Sequence, residues 1–264
     1  MNLKTKHTFC VCAYKESPYL EECVRSLLRQ SAKSRILIAT STPNPHIESI
    51  AQKYHIPLYI NEGEHGIVQD WNFAYSKADT PYVTIAHQDD LYFPSYAQRI
   101  VEKLERSDMP LIAFSGYCEL RGGRMVKGNP LLRIKRFLLS PMRVPALSGR
   151  RFWKRAVLSL GNSICCPSVT FVRERLPEVV FTPGFQSNMD WESWERFSLL
   201  DGSFVYEPAP LMCHRIHEDS TTSEIIGNHL RTREDTAMFE KFWHPGFARI
   251  LAGIYASCEK SNQI

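Results

Sequence analysis

One stretch constrains this chain more than any other. Tyr82 to Ala86 is a short β-forming apolar run that ends abruptly in His87, Gln88, Asp89 and Asp90, with Pro94 close behind. The run reads as a buried strand, and Pro94 suits the first turn of a following helix. Ligands of open α/β sheets bind outside the carboxyl ends of the strands. Two adjacent carboxylates at such an end repel unless a cation or a positive ligand shares the site. A hard divalent metal bridging a carboxylate to a diphosphate satisfies that requirement. Continued as a strand, His87 and Asp89 share one face and Asp90 points away. The plainer reading makes Asp89 and Asp90 caps of the next helix.

The surrounding order of elements supports a parallel sheet. Strands are expected at Thr8–Ala13, Arg35–Thr40, Pro57–Ile60 and Tyr82–Ala86, with helices between them and one more ending near Arg106. Leu20, Cys23, Val24, Leu27 and Leu28 keep the spacing of one buried helix face. Such alternation predicts βαβ units and an α/β fold. Further on, a strand is expected at Leu111–Ser115, a hairpin at Tyr117–Val126, and a helix at Ser148–Leu160. Ser168–Arg173 reads as a strand and Ser187–Leu200 as a helix. Short strands at Val205 and Leu211–Ile216 come next, and helices at Ser223–Trp243 and Pro245–Ser257 finish the chain. The domain expectation is residues 1–222 as the main unit and 223–264 as a helical extension.

The turn after the first strand, Ala13-Tyr14-Lys15-Glu16-Ser17-Pro18, contains no glycine. A dinucleotide fold or a P-loop requires glycines there, and a nucleotidyltransferase normally has a Gly-rich basic loop at the same place.

Taken in order, the motifs resemble glycosyltransferase family 2, whose members have the GT-A fold. The turn Ala13-Tyr14-Lys15-Glu16 is similar to the Tyr-Asn-Glu turn of that family, and Asn61 to Gly66 to its Asn–Gly stretch. The Asn-bearing helix corresponds to Asp70-Trp71-Asn72, and the Asp-x-Asp-Asp motif to His87-Gln88-Asp89-Asp90. The Glu-Asp pair corresponds to Met189-Asp190 and the final Arg-x-His to Arg215-Ile216-His217. The resemblance spans about Thr8 to Thr222, and only the ordered set of motifs is specific. Lys15 stands where Asn is usual, His87 replaces the first Asp, Met189 replaces Glu, and Ala39-Thr40-Ser41-Thr42 lacks the usual acids.

The resemblance implies an inverting transferase that moves a sugar from a nucleotide-diphosphate donor to an acceptor hydroxyl, with Mg²⁺ or Mn²⁺ as cofactor. It assigns the metal to Asp89, with His217 as a second ligand or phosphate contact, and the general base to Asp190. Ala13, Tyr14, Glu16, Ser41 (or Thr42), Asn72, His87, Gln88 and Asp89 would line the donor site. Each role has a structural competitor. Ser187 and Asp190 match a capping box, and Glu192 and Glu195 are other carboxylates on the same helix. Trp191 and Trp194 suit core packing better than sugar stacking, and Asp70 reads as a surface residue. A non-catalytic sugar- or lipid-binding descendant is the rival function, favoured by the altered acidic motif.

Charge segregation adds a partner. From Leu120 to Arg173 there is no Asp or Glu but twelve Lys and Arg, leaving 20 basic against 28 acidic residues elsewhere. Such a block implies an anionic partner. Leu131 to Leu139 and Arg150 to Arg155 interleave cations with Leu, Ile, Phe and Trp, which suits an anionic membrane surface and a lipid-linked or glycan acceptor. The same residues could instead cover the donor diphosphate; no nucleic-acid motif accompanies them. No apolar run is long enough to span a bilayer. With a polar Met1–His7 and eight cysteines lacking metal spacing, the expectation is reduced thiols and a cytoplasmic chain that can lie peripherally at the inner membrane face.

Overall fold

The computed structural model describes residues 2–217 and 230–260, the latter without the side chains of 258–260. Its strands are β1 His7–Ala13, β2 Arg35–Thr40, β3 Leu58–Ile60, β4 Tyr82–His87, β5 Leu91–Tyr92, β6 Pro110–Arg121, β7 Arg124–Val126, β8 Val169–Val172 and β9 Ser203–Ile216. The helices are α1 Leu20–Leu28, α2 Pro45–Tyr54, α3 Ile67–Ser76, α4 Tyr96–Arg106, α5 Pro130–Leu138, α6 Pro145–Ser148, α7 Arg151–Ala156 and α8 Met189–Ser198. Leu230–Glu240 and Pro245–Lys260 form α9 and α10.

Local chemistry explains most boundaries. Helix α1 buries Leu20, Cys23, Val24 and Leu27, the predicted face. Asn44 caps α2 by accepting from the Ile47 N–H at 3.0 Å, with Pro45 in the first turn, and His55 ends the helix in the left-handed region. Asn129 and Pro130 repeat that start at α5, where Asn129 accepts from the Leu132 N–H at 2.8 Å.

The strands join in one sheet of order β3-β2-β1-β4-β8-β6-β9-β5, with β7 paired to β6. Strands β3, β2, β1 and β4 run parallel, so the carboxyl ends of β1, β2 and β4 lie side by side on one edge. Strand β8 enters antiparallel between β4 and β6. Strands β6 and β9 run parallel over most of their length. Irregular register at Ser115–Tyr117 absorbs Pro208 and Pro210, so Ser203–Ile216 stays one strand where two short ones were expected. Gly116 is required at that bulge, because a Cβ there would stand 2.6 Å from the Pro208 carbonyl oxygen.

One face of the sheet packs Phe171, Phe181, Trp191, Trp194, Phe197 and Phe239; the other packs Phe9, Tyr92, Tyr96 and Ile100. Trp191 and Trp194 are fully buried, so neither stacks on an acceptor. Four features differ from the expected elements or were not anticipated by them. The stretch 130–138 is a helix, the 148–160 helix is broken at Gly149 and Arg150, and Leu91–Tyr92 forms an extra strand. Cys118 and Cys213, register partners on β6 and β9, are disulfide-bonded rather than reduced. Of the Ser223–Trp243 helix, residues 223–229 lie outside the described residues. Among the described residues, no helix is long and apolar enough to cross a membrane.

Candidate active site

The site begins where β4 stops. After His87 the backbone turns, with the Asp90 N–H donating to the His87 carbonyl at 3.2 Å. The turn reverses the strand-based expectation for Asp90, which is fully buried and shares the cluster. One ligand atom each of His87, Asp89 and Asp90 lies within 4.8 Å of the others.

The return of β9 locks this turn. Asp90 Oδ1 accepts from His214 Nδ1 at 3.0 Å and from the Arg215 N–H at 2.9 Å. Asp89 Oδ2 meets His217 Nε2 at 2.9 Å. Arg215 donates from Nε to the Asp89 carbonyl at 2.8 Å and from Nη2 to Glu22 at 2.6 Å, with its guanidinium over the Tyr19 ring. The sequence motifs alone assign no role to Arg215 or to Glu22. The usable signal was Glu22 on the polar side of α1, two residues after the helix starts beside the strand ends.

Electrostatics follows from that packing. Burial pushes the Asp89 carboxyl up, but the His217 hydrogen bond, with the His214 charge nearby, holds it below its usual value. Burial works against a charged His214, yet the Asp90 charge and hydrogen bond raise that imidazole to about 9. His87 is lowered by burial, which outweighs the acids beside it, and stays neutral with its ring stacked on Trp71 at 4.6 Å. His87 Nε2 and Asp90 Oδ2 are buried without hydrogen-bond partners. A neutral imidazole, a free carboxylate oxygen and Asp89 with His217 are the donor set of a hard or borderline divalent cation.

On the neighbouring strand ends, Gln88 holds Tyr14 by two bonds of 3.0 Å, from the Tyr14 N–H to Gln88 Oε1 and from Gln88 Nε2 to the Tyr14 carbonyl. Tyr14 is 50% exposed and free to face a ligand, while Ala13 is buried beneath it and Glu16 is exposed. Lys15 adopts a positive φ of 52° and donates its N–H to Thr42 Oγ1 at 2.6 Å. A left-handed residue explains why asparagine suits this position better than lysine. Ser41 donates to Asp70 Oδ2 at 2.7 Å, and Asn61 to Asp70 Oδ1 at 2.8 Å. A carboxylate thus reaches the end of β2 from α3, although β2 itself supplies none. Asn72, by contrast, is not brought to this group. Its amide brackets the backbone of Val180 and Phe181 at 2.7–3.1 Å and serves the scaffold.

Asp190 opens α8, close enough for its charge to act on His87. Asp190 Oδ2 accepts from Asn162 Nδ2 and Oδ1 from the Trp191 N–H, both at 2.7 Å. Burial raises its carboxyl above the usual range, against the lowering by these donors and by the Arg231 and Lys135 charges. The Ser187–Asp190 capping box does not form. Glu234 of α9 instead accepts from the N–H groups of Gln186, Ser187 and Asn188 and from the Ser187 hydroxyl. Asp190 is therefore released from the reciprocal capping contact. Glu192 and Glu195 are engaged by Arg196, Arg155 and Lys241.

The sequence model of Glycosyl transferase family 2 matches residues 8–153. An uncharacterized glycosyltransferase of Haemophilus influenzae is 23% identical over 237 residues, covering 83% of this chain and 67% of that protein. Solved structures share the fold at low identity. A mannosyltransferase, PcManGT, from Pyrobaculum calidifontis in complex with GDP-Man and Mn²⁺ has a TM-score of 0.63 at 13% identity, covering 98% of this chain and 76% of that one. TarS (residues 1–349) of S. aureus in complex with UDP-GlcNAc has a TM-score of 0.62 at 13% identity, over 94% and 70%. Glucosyl-3-phosphoglycerate synthase from Mycobacterium tuberculosis, with Mn²⁺, UDP and phosphoglyceric acid, has a TM-score of 0.55 at 14% identity, over 83% and 75%. These neighbours show the expected GT-A architecture, and a family match over more than half of its residues places this chain in glycosyl transferase family 2.

Proposed function

We propose that this chain transfers a sugar, with inversion, from a nucleotide-diphosphate donor to a hydroxyl of a glycan or lipid-linked acceptor, with Asp190 as the general base. The observation that carries the reading is the divergence of two carboxylates that both act on His87. Asp89 is held acidic and Asp190 is raised, and opposed shifts of that kind separate a charge-holding group from a proton-accepting one.

The donor side is the row of strand ends. Tyr14, Ser41 and Asp70 would receive the nucleoside, with Ala13 and Gln88 shaping the floor and Glu16 at the rim. Strand β1 lies between β4 and β2, so the two outer strand ends stand about 10 Å apart. That span suits a nucleoside at β2 and its diphosphate at Asp89. Asp89, His217 and His87, with Asp90 behind them, would hold Mn²⁺ or Mg²⁺. A divalent ion there supplies positive charge against the charge that develops on a departing diphosphate.

The proton accounting runs through Asp190. As the acceptor oxygen forms its bond to the anomeric carbon, the bond to the diphosphate oxygen breaks, and the hydroxyl proton passes to the Asp190 carboxylate. The raised affinity of Asp190 for a proton favours this step, and Asn162 keeps the carboxylate aimed.

The acid-free segment supports a peripheral position at an anionic membrane surface. Ile134, Phe137, Val144 and Phe152 are exposed large apolar side chains, and Arg133, Arg143, Arg150 and Arg151 are exposed beside them in sequence. Such a mixture fits the headgroup boundary of an anionic leaflet, and a nucleotide-sugar donor places that leaflet on the cytoplasmic side. Lys135 and Arg136 do not join this face, since both turn inward. Wholly buried between strands, the Cys118–Cys213 bond is shielded from soluble thiols.

A donor panel of UDP-, GDP-, dTDP- and CDP-sugars, assayed with Mn²⁺ and with chelator, tests the reading. Metal-dependent donor cleavage that Asp190→Asn slows without weakening donor binding is expected. No cleavage of any donor by folded, metal-loaded protein would support the non-catalytic alternative.

A further inference from the structure

Helix α5 carries a lysine where a core residue would be expected. Leu132 and Leu139 are buried, and Lys135 lies between them on the same inward side. Its ammonium is 3.2 Å from the Tyr117 hydroxyl on β6. Asp190 and His214 both sit within the field of its charge.

No carboxylate of the described residues bonds directly to this cation, whose polar contact is the Tyr117 hydroxyl. Glu119 is taken by Arg121 and Asn129 at 2.8 and 2.9 Å. Asp90 is held by His214 and the Arg215 N–H, and Asp190 by Asn162 and the Trp191 N–H. A small, mostly enclosed cavity beside Lys135 is lined by Ser115, Tyr117, Arg136, Ser163 and Tyr206, among others, and by no Asp or Glu. The Ser163 hydroxyl, on a residue 99% buried by its 1% exposure, has no hydrogen-bond partner. A half-buried cation that no carboxylate contacts attracts an anion to its side of the cavity.

We infer that Lys135, with the Tyr117 and Ser163 hydroxyls, forms an oxyanion subsite that takes a phosphate group of a substrate. The cavity is the size of about one water, enough for a single phosphate oxygen, while the rest of the group stays in the cleft. Two sources carry that chemistry: the diphosphate of the donor, or a phosphate borne by the acceptor. The subsite rests on the transferase reading for its substrates, but not for its affinity for a phosphate.

The test is calorimetric titration of wild type, Lys135→Met and Lys135→Arg. The ligands are a nucleoside diphosphate with Mn²⁺ (the tightest of UDP, GDP, dTDP and CDP), the matching nucleoside, and glycerol 1-phosphate. Lys135→Met is expected to weaken one phosphate ligand by about tenfold or more, the scale of a charge-assisted hydrogen bond, leaving the nucleoside unaffected. Lys135→Arg recovers most of the loss. Loss confined to the diphosphate assigns the donor, and loss confined to glycerol 1-phosphate assigns the acceptor. Unchanged binding of both by a Lys135→Met protein that melts like wild type overturns the subsite. If Lys135→Met does not fold, Ser163→Ala and Tyr117→Phe take its place, and unchanged phosphate affinity in both has the same force. Wild-type protein that cleaves no donor, yet binds phosphate through Lys135, would refute the transferase reading and leave the subsite standing.

Discussion

The two ends of the cleft handle carboxylates in opposite ways. At the metal end, Asp89 and Asp90 meet His214 and Arg215 of β9, which add positive charge around them, and Asp89 bonds to His217 just past the strand. At the base end, Asp190 meets a neutral amide, Asn162, and a backbone N–H. Both ends are enclosed, so desolvation acts upward on Asp89 and Asp190 alike. The partners decide the outcome: a direct imidazole hydrogen bond holds Asp89 down, whereas neutral donors and the Arg231 and Lys135 charges do not offset the burial of Asp190. Enclosure alone does not assign a role to an acid; the groups that bond to it directly do.

Breaking the metal end should have the largest effect. Asp89→Asn is expected to cost about 5 kcal/mol of transition-state stabilisation, roughly 10⁴-fold in rate. Chelation of wild type should give a similar loss that Mn²⁺ reverses. Full activity in chelator would erase the distinction between the two ends.

The base end comes next. Asp190→Asn keeps the acceptor for the Trp191 N–H but cannot take a proton, so the rate should fall about 10²–10⁴-fold with donor affinity intact. Wild-type kcat/KM should decline as pH falls through the raised Asp190 value, since the base works only when ionised. That acid limb should vanish in the variant, and a variant that keeps it would point to another base.

A third measurement concerns the foundation of the metal end. His214 in the folded chain titrates near 9, above its unfolded value of about 6.5. Its stabilisation is therefore fully present below pH 6.5 and is lost as pH rises through 9. In metal-free protein, urea unfolding should show about 3 kcal/mol less stability at pH 9.5 than at 6.5 from this pair. Asp90→Asn should flatten that difference and lower stability at pH 6.5 by a similar amount. Asp90, expected from the strand pattern to matter less than Asp89, thus becomes the more important of the two for stability.

Two smaller effects sharpen the contrast. Asn72→Ala should cost about 2 kcal/mol of stability, the penalty for orphaning backbone groups at Val180 and Phe181, with no change in nucleoside affinity. A selective loss of nucleoside binding would restore it to the donor site. Asn162→Ala removes a donor from Asp190 and should shift the acid limb of the rate profile upward by about one pH unit, about 1.4 kcal/mol. Heat stability should hardly change.

Much of this was legible before any coordinates. The strand–helix alternation to Arg106 was readable because each element carries its own periodicity, and the faces of α1 and β4 lie where the pattern put them. Asp89, His217 and Asp190 could be singled out because six motifs stood in order. The readings that needed correction share a cause. Asp90 was judged by continuing a strand through a turn, and Asn72 by its motif alone. Lys135 was counted with a membrane-facing block although it faces inward.

The sequence by itself determined the class of fold, the strand end that carries the acids and the presence of a basic segment without acids. Those properties depend on spacing over a few residues. Tertiary structure alone decided which acid is buried beneath the site, which helix caps α8, and which lysine enters the cleft. His214 reaches Asp90 across 124 residues, and Glu234 reaches Ser187 across 47. Contacts at such separations are set by how β9 and α9 return to the sheet, and no local pattern encodes them. The free energy of a carboxylate depends on what surrounds it at about 3 Å, and those neighbours are chosen only when the chain closes.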